Sequence, residues 1–149
     1  NKLYAKGHVV QVQTYHVAAV SGNISTTSSA FVDSGAEVTI TPQFSNSLIV
    51  CDFVTSMSTV PAASTGVLLT RLRLDTAVYG GQYTTGYMMR SDATTNGYQP
   101  SVFKTIHSTL AAGTAVEFNV QYRSEVSGQI VYLANNNSSI TMTLTEIAQ

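Results

Sequence analysis

Apolar and polar residues alternate along much of this chain, and the alternation predicts strands. From Thr114 to Arg123, Val116, Phe118, Val120 and Tyr122 share one face, and Glu117, Asn119, Gln121 and Arg123 share the other. A period of two with one apolar face predicts an antiparallel strand with one side buried and one side wet. Ser139 to Ile147 repeats the pattern, with Ile140, Met142 and Leu144 inward and Thr141, Thr143 and Thr145 outward. Gly128 to Leu133 is a third strand, left through Asn135-Asn136-Asn137, where Asn tolerates left-handed backbone. Val67 to Leu74 sets Leu68, Leu72 and Leu74 against Arg71 and Arg73. Leu48 to Val54 is apolar on both faces and reads as a central strand covered from two sides.

Further strands are predicted at Val9 to Val17, Ser25 to Val32 and Val38 to Thr41, the last stopped by Pro42. Tyr83 to Met89 and Val102 to Ile106 are weaker candidates. No apolar stripe of helical period is sustained, and Val, Thr, Tyr and Ile favour strands. Eight to ten strands are expected, with turns about every 8–12 residues, as in a sandwich or barrel. The predicted fold is therefore all-β, an antiparallel β-sandwich of jelly-roll type. Residues 1–149 form one domain, with residues 1–6 a short N-terminal arm. Gly80 to Pro100 breaks the strand pattern and reads as a long loop, the kind of segment that carries binding.

Composition narrows the function classes. Charged residues are 10% of the chain, whereas 17 Ser and 20 Thr make the surface polar through hydroxyls. The net charge of −1 removes the basic face that a nucleic-acid binder needs. A hydrophobic fraction of 44% argues against disorder. No apolar run approaches the roughly 18 residues of a membrane helix, so no membrane partner is expected. Asn1 to Lys6 has no apolar signal core, and the absence of Met at position 1 fits a chain that begins within or just after its true start.

Little in the sequence carries chemistry. Cys51 lies in an apolar run with no neighbouring base, so it reads as a small buried hydrophobe and not as a nucleophile. His8 and His16 stand eight residues apart, roughly 26 Å along a strand, too far to share a metal ion. With His107 elsewhere, a metal would need a histidine repeated around a trimer axis, and no metal or cofactor is expected. Asp92 to Gly97 lacks the alternating acidic ligands of a calcium loop and reads as a polar turn. Among the carboxylates, Asp52 sits oddly in an apolar run, with a turn or a neighbouring Thr as its expected hydrogen-bond partner. Glu146 falls in phase with Ile140, Met142 and Leu144 near a strand end, where water or a neighbouring subunit is its expected partner. A glycosidase needs two carboxylates flanking one bond, and the spacing here singles out no pair.

Several segments together resemble a known family. They are Gly7-His8-Val9-Val10-Gln11-Val12, the Ser/Thr-rich stretch Ser25 to Asp33, Val38-Thr39-Ile40-Thr41-Pro42, Ser47-Leu48-Ile49-Val50 and the closing Ser138 to Ala148. In order, they resemble small virion surface domains of tailed phages of the marine or cyanophage type, used as fibre, tail-tip or head-decoration modules. The likeness covers both ends of the chain and little of its middle, where Ser108 to Gly113 departs from the family's Leu-Asp-Ser-Pro turn. It implies a jelly-roll-like sandwich that assembles on the particle, as a trimer, and it brings no catalytic residues.

Two non-enzymatic functions follow as expectations. The first is a virion protein of fibre or receptor-binding type, a homo-oligomer that touches a host-surface glycan and other virion proteins. Tyr83, Tyr87, Asn96 and Tyr98 are then the candidate ligand-binding residues, since aromatic faces and amides match the two characters of a sugar. The same tyrosines would also suit a subunit interface or ordinary packing. The second is a capsid decoration protein, with residues 1–6 gripping the shell. A glycan-degrading enzyme is the third and weakest reading.

Overall fold

The computed structural model describes residues 4–58, 67–75, 77–79, 89–92, 99–108, 110–135 and 137–149. Among these, none is helical and eleven strands form. They are β1 (Val9–Val17), β2 (Ile24–Thr26), β3 (Val32–Ile40), β4 (Leu48–Ser58), β5 (Val67–Leu74), β6 (Ala77–Tyr79), β7 (Met89–Asp92), β8 (Gln99–His107), β9 (Val116–Ser124), β10 (Val131–Ala134) and β11 (Ile140–Ile147). Every pairing is antiparallel.

One sheet runs β1-β11-β4-β8 and the other β3-β9-β5-β6, with β7 also on β5; a small β10-β2 pair completes the set. The sandwich of jelly-roll type expected from the alternation is the fold found. Both sheets turn their apolar phase inward. Ile49, Cys51 and Phe53 of β4 and Ile140, Met142 and Leu144 of β11 share one core with Phe118 and Val120 of β9 and Leu68 and Leu72 of β5. Val131 and Leu133 of β10 join the same core, and Thr55 Oγ1 donates to the Leu133 carbonyl at 3.1 Å. That bond ties the small pair to the four-stranded sheet.

Five expectations are corrected. Gly80 to Pro100, read as a long loop, holds β7 and the first residues of β8, while its positions 80–88 and 93–98, and with them all but Met89 of the strand expected from Tyr83 to Met89, lie outside the described residues. The segment predicted as one strand from Ser25 to Val32 is broken in two. Ser28 Oγ accepts from Ala30 N at 3.0 Å and donates to Ala30 O at 2.9 Å, and these local bonds replace ladder bonds. β3 then runs from Val32, well ahead of the predicted Val38. It does so through a register shift between Asp33 and Glu37, where Gly35 takes φ +78°. β4 is central, but its outer side is covered only in part: Val50 is 8% exposed, whereas Val54, in the same phase, is 39% exposed. On β9, the side expected to be wet is largely closed: Asn119 is 2% and Gln121 6% exposed.

The predicted turn at 135–137 has Asn137 at φ +66°. The turn from β5 to β6 uses Asp75 at φ +45°, where its carboxylate accepts from Glu117 N at 2.9 Å. Tyr4 packs edge-on against Phe44, and Gly7 N donates to the Ala148 carbonyl at 2.7 Å, so the chain is docked on its own domain from Tyr4 onward.

Candidate functional site

Tyr83, Tyr87, Asn96 and Tyr98, the residues singled out for ligand binding, lie outside the described residues. What the structure describes is two unlike outer faces and one buried carboxylate node.

The outer face of the four-stranded sheet is the open one. Register sets its residues in rows across the strands. His16, Thr141, Val54 and Val102 form one row; Thr14, Thr143, Asp52 and Lys104 the next; Val12, Thr145, Val50 and Ile106 a third. Each strand presents its second phase here, because the first is spent on the core. Val12, Val54, Val102 and Ile106 are 51%, 39%, 59% and 62% exposed, whereas Val50 in the third row is buried. Between them stand hydroxyls, and His16 Nδ1 shares a 2.8 Å hydrogen bond with Thr141 Oγ1. Among the described residues, the one ion pair in these rows joins Lys104 Nζ to Asp52 Oδ1 at 3.2 Å. Asp52 is thus answered by a cross-strand lysine and not by the turn or Thr expected of it.

The outer face of the other sheet is covered in part by its own side chains, around Asn119 and Gln121, while Asp33, Glu37 and Thr39 stay exposed. Gln121 donates to Asp33 Oδ1 and accepts from Arg71 Nε, both at 2.7 Å. Arg71 and Arg123 carry their guanidinium groups 4.1 and 5.0 Å from the ring centre of Phe31. Arg73 lies 3.7 Å from both Asp33 and Glu117. Arg123 Nη1 donates to the Ser29 carbonyl, and the Tyr122 hydroxyl to that of Ser25, each at 2.9 Å. These contacts clamp the crossover from β2 to β3 onto β9. Burial first, then the neighbouring Arg73 and Arg123, holds the Arg71 pKa below its ordinary value, with Asp33 opposing. Asn119 Oδ1, Arg73 Nε and Arg123 Nε are buried with no hydrogen-bond partner among the described residues.

Glu146 is fully buried and reaches neither water nor an exposed edge, contrary to expectation. Its Oε1 accepts from Ser47 Oγ at 2.7 Å, Gln43 N at 2.8 Å and Phe44 N at 3.2 Å. Its Oε2 accepts from Gln11 Nε2 at 2.7 Å, and that amide also donates to the Thr41 carbonyl. Burial raises the carboxyl pKa, but the Ser47, Gln11, Gln43 and Phe44 donors outweigh it and the net direction is down. One carboxylate therefore holds β1, β11 and the turn after Pro42 together. Its phase among buried residues was the sequence signal that water was not its partner.

Two further groups are core members. Burial pushes the Cys51 thiol up to about 12, with a Thr105 hydrogen bond opposing and Asp52 reinforcing the rise. At that value the thiolate is scarce near neutrality and the nucleophile is suppressed. His107 sits edge-on to Phe118 at 5.2 Å with Nε2 2.9 Å from Thr105 Oγ1, and burial lowers its pKa. Among the described residues, no three His, Cys, Asp or Glu cluster as a metal site would require.

No family model matches the chain. No curated protein matches it in sequence. Among solved structures it is similar to a chain of infectious bursal disease virus Gx strain, with 15% identity and TM-score 0.40, over 92% of this chain and 32% of that one. It is also similar to dimeric latent PorU from Porphyromonas gingivalis, with 7% identity and TM-score 0.41, over 97% of this chain and 14% of that one. A third is Eiger TNF from S. frugiperda, with 11% identity and TM-score 0.35, over 92% of this chain and 87% of that one. The chain spans about a third of the length of the viral chain and about a seventh of PorU.

Proposed function

We propose that this chain is a non-enzymatic structural protein of a phage particle, of fibre or receptor-binding type, working as a homo-oligomer on the particle surface. The observation that carries the assembly part is the open face of the β1-β11-β4-β8 sheet. Rich in β-branched residues and with a single described ion pair, it suits another protein surface better than a small polar ligand. The phage part is supported by the ordered segments from Gly7 to Ala148 that resemble virion domains. A trimer is the proposed state, and other virion proteins and a host-surface glycan are the proposed partners. Tyr83, Tyr87, Asn96 and Tyr98 are the proposed glycan contacts.

Labelling purified particles with antibody raised to the domain tests the location. Signal on tails or fibres supports this reading. Signal on heads replaces it with the decoration reading, and particles without signal overturn both. Tyr98→Ala tests the site: lost glycan or cell binding with the assembly intact supports a ligand contact. A weakened oligomer makes the residue an interface group instead, and no change in either removes it from both roles.

A further inference from the structure

All four arginines of the chain fall on one sheet. Arg71 and Arg73 stand on β5 and Arg123 on β9, while Leu69 pairs with Arg123 on one side and with Arg90 of β7 on the other. The strands of this sheet carry no lysine. Its carboxylates answer one arginine: Arg73 lies 3.7 Å from both Asp33 and Glu117. Among the described residues, no carboxylate comes within 4.0 Å of Arg71 or Arg123. Those two guanidinium groups converge instead on Phe31, 4.1 and 5.0 Å from its ring centre. Attraction to the ring acts on their charge and leaves their hydrogen-bond donors over. Arg71 Nε donates to Gln121 Oε1, and Arg123 Nη1 to the Ser29 carbonyl. Both Nη groups of Arg71 and Nη2 of Arg123 have no acceptor among the described residues, and both arginines are only half-buried.

We propose that Arg71 and Arg123, held at Phe31, bind the carboxylate or sulfate group of an acidic polysaccharide. Two oxygens of such a group match the fork of a guanidinium, which is why arginine suits this task better than lysine. Burial first, then the charges of Arg73 and Arg123, hold the Arg71 pKa down, with Asp33 opposing. A negative charge placed between the arginines relieves that repulsion. The ring and the Gln121 and Ser29 bonds fix both side chains beforehand, which lowers the entropy cost of binding. The place also fits. β6 sets Tyr79 opposite Leu72 and β7 sets Met89 opposite Thr70, so Arg71 stands between the two strands that flank positions 80–88. The choice of a polysaccharide rests on the glycan reading and narrows it to an anionic one; the anion site itself stands on the arginine geometry.

The test is calorimetric titration at low salt with four probes: polygalacturonate, dextran sulfate, neutral dextran and sodium sulfate. The net charge of −1 gives a polyanion no general attraction to this chain. At least one acidic polymer binds, neutral dextran does not, and the binding weakens as salt rises. Arg71→Gln and Arg123→Gln each weaken it by at least about tenfold. Arg71→Lys, which keeps the charge and loses the fork, recovers only part of it. Lys104→Gln, on the other sheet, leaves it unchanged. Circular dichroism confirms that the variants are folded. If the arginine variants are not, NMR of wild type replaces them: the Nε–H signals of Arg71 and Arg123 must move with polygalacturonate or dextran sulfate and stay still with dextran. No anion bound, or an acidic polymer held equally well by the arginine variants, overturns the proposal. Sodium sulfate bound without either acidic polymer makes this a site for a free anion and overturns the polysaccharide. Dextran bound as tightly as the acidic polymers keeps the glycan reading and removes the anion site. Arginine-dependent binding of an acidic polymer together with a harmless Tyr98→Ala keeps the anion site and removes Tyr98 from the glycan reading.

Discussion

Glu146→Gln is the substitution that bears hardest on the local architecture. The carboxylate is fully buried and accepts four hydrogen bonds, three of them on Oε1. The new amide oxygen can occupy the Oε1 position, and its NH2 then faces the NH2 of Gln11. Gln11 cannot simply turn over, since its Nε2 also donates to Thr41 O at 2.7 Å and its Oε1 accepts from Gln13 at 3.4 Å. The variant loses charge assistance on its remaining bonds and leaves one donor pair opposed. At about 1.5–3 kcal/mol for a bond to a charged group, and about 1–3 kcal/mol for a stranded buried donor, the net loss is about 2–4 kcal/mol. Urea unfolding at pH 7 measures it as a lower midpoint with unchanged slope. The folded carboxyl pKa lies below its unfolded value, so the unfolded chain binds more protons as pH falls. The stabilisation is therefore present above the ordinary glutamate pKa and is lost as pH falls through the depressed one. Glu146→Gln is missing that acid-dependent loss. A variant within about 0.5 kcal/mol of wild type, or one with the same acid dependence, refutes the four-donor account.

Three further outcomes follow from the core. Phe118→Ala removes a fully buried ring that touches His107 and costs about 3–5 kcal/mol in urea unfolding; a loss below about 1 kcal/mol means the cavity collapses and the packing account is wrong. His107 is neutral in the folded chain because burial lowers its pKa, so its share of stability is present above the ordinary histidine value near 6.5 and lost as pH falls toward the folded one; an NMR titration placing His107 above that ordinary value contradicts this. Cys51, raised to about 12, stays unreactive toward a thiol-disulfide reagent in the folded protein and reacts on unfolding in urea; rapid labelling of the folded chain means the thiol is reachable after all.

How much of this was legible in the sequence depended on whether local pattern and tertiary cover agree. They agree at β1 and β5, whose bounds at Val9–Val17 and Val67–Leu74 match the alternation, and on β9, where Val116, Phe118, Val120 and Tyr122 do point inward. They part where the outcome is set by what lies over a face. The Arg71–Gln121–Asp33 network closes a face that alternation marks as wet, because Phe31 and the crossover before β3 are folded onto it from about 90 residues away in sequence. The outer side of β4 is closed at Val50 and open at Val54 for the converse reason: an apolar phase reports hydrophobicity, and whether anything covers it is not encoded in that strand. Strand 25–32 failed at Ser28, whose hydroxyl satisfies the backbone locally. Glu146 was placed in the right phase, but its donors come from residues 11, 43, 44 and 47, which no spacing around position 146 reveals. Asp52 and Lys104 meet only through the β4–β8 register.

Light scattering on the wild-type chain across the micromolar range tests the central claim most directly, that this sandwich is a part made to assemble. The account predicts a mass of three chains. A single chain of 15.9 kDa at every concentration contradicts it.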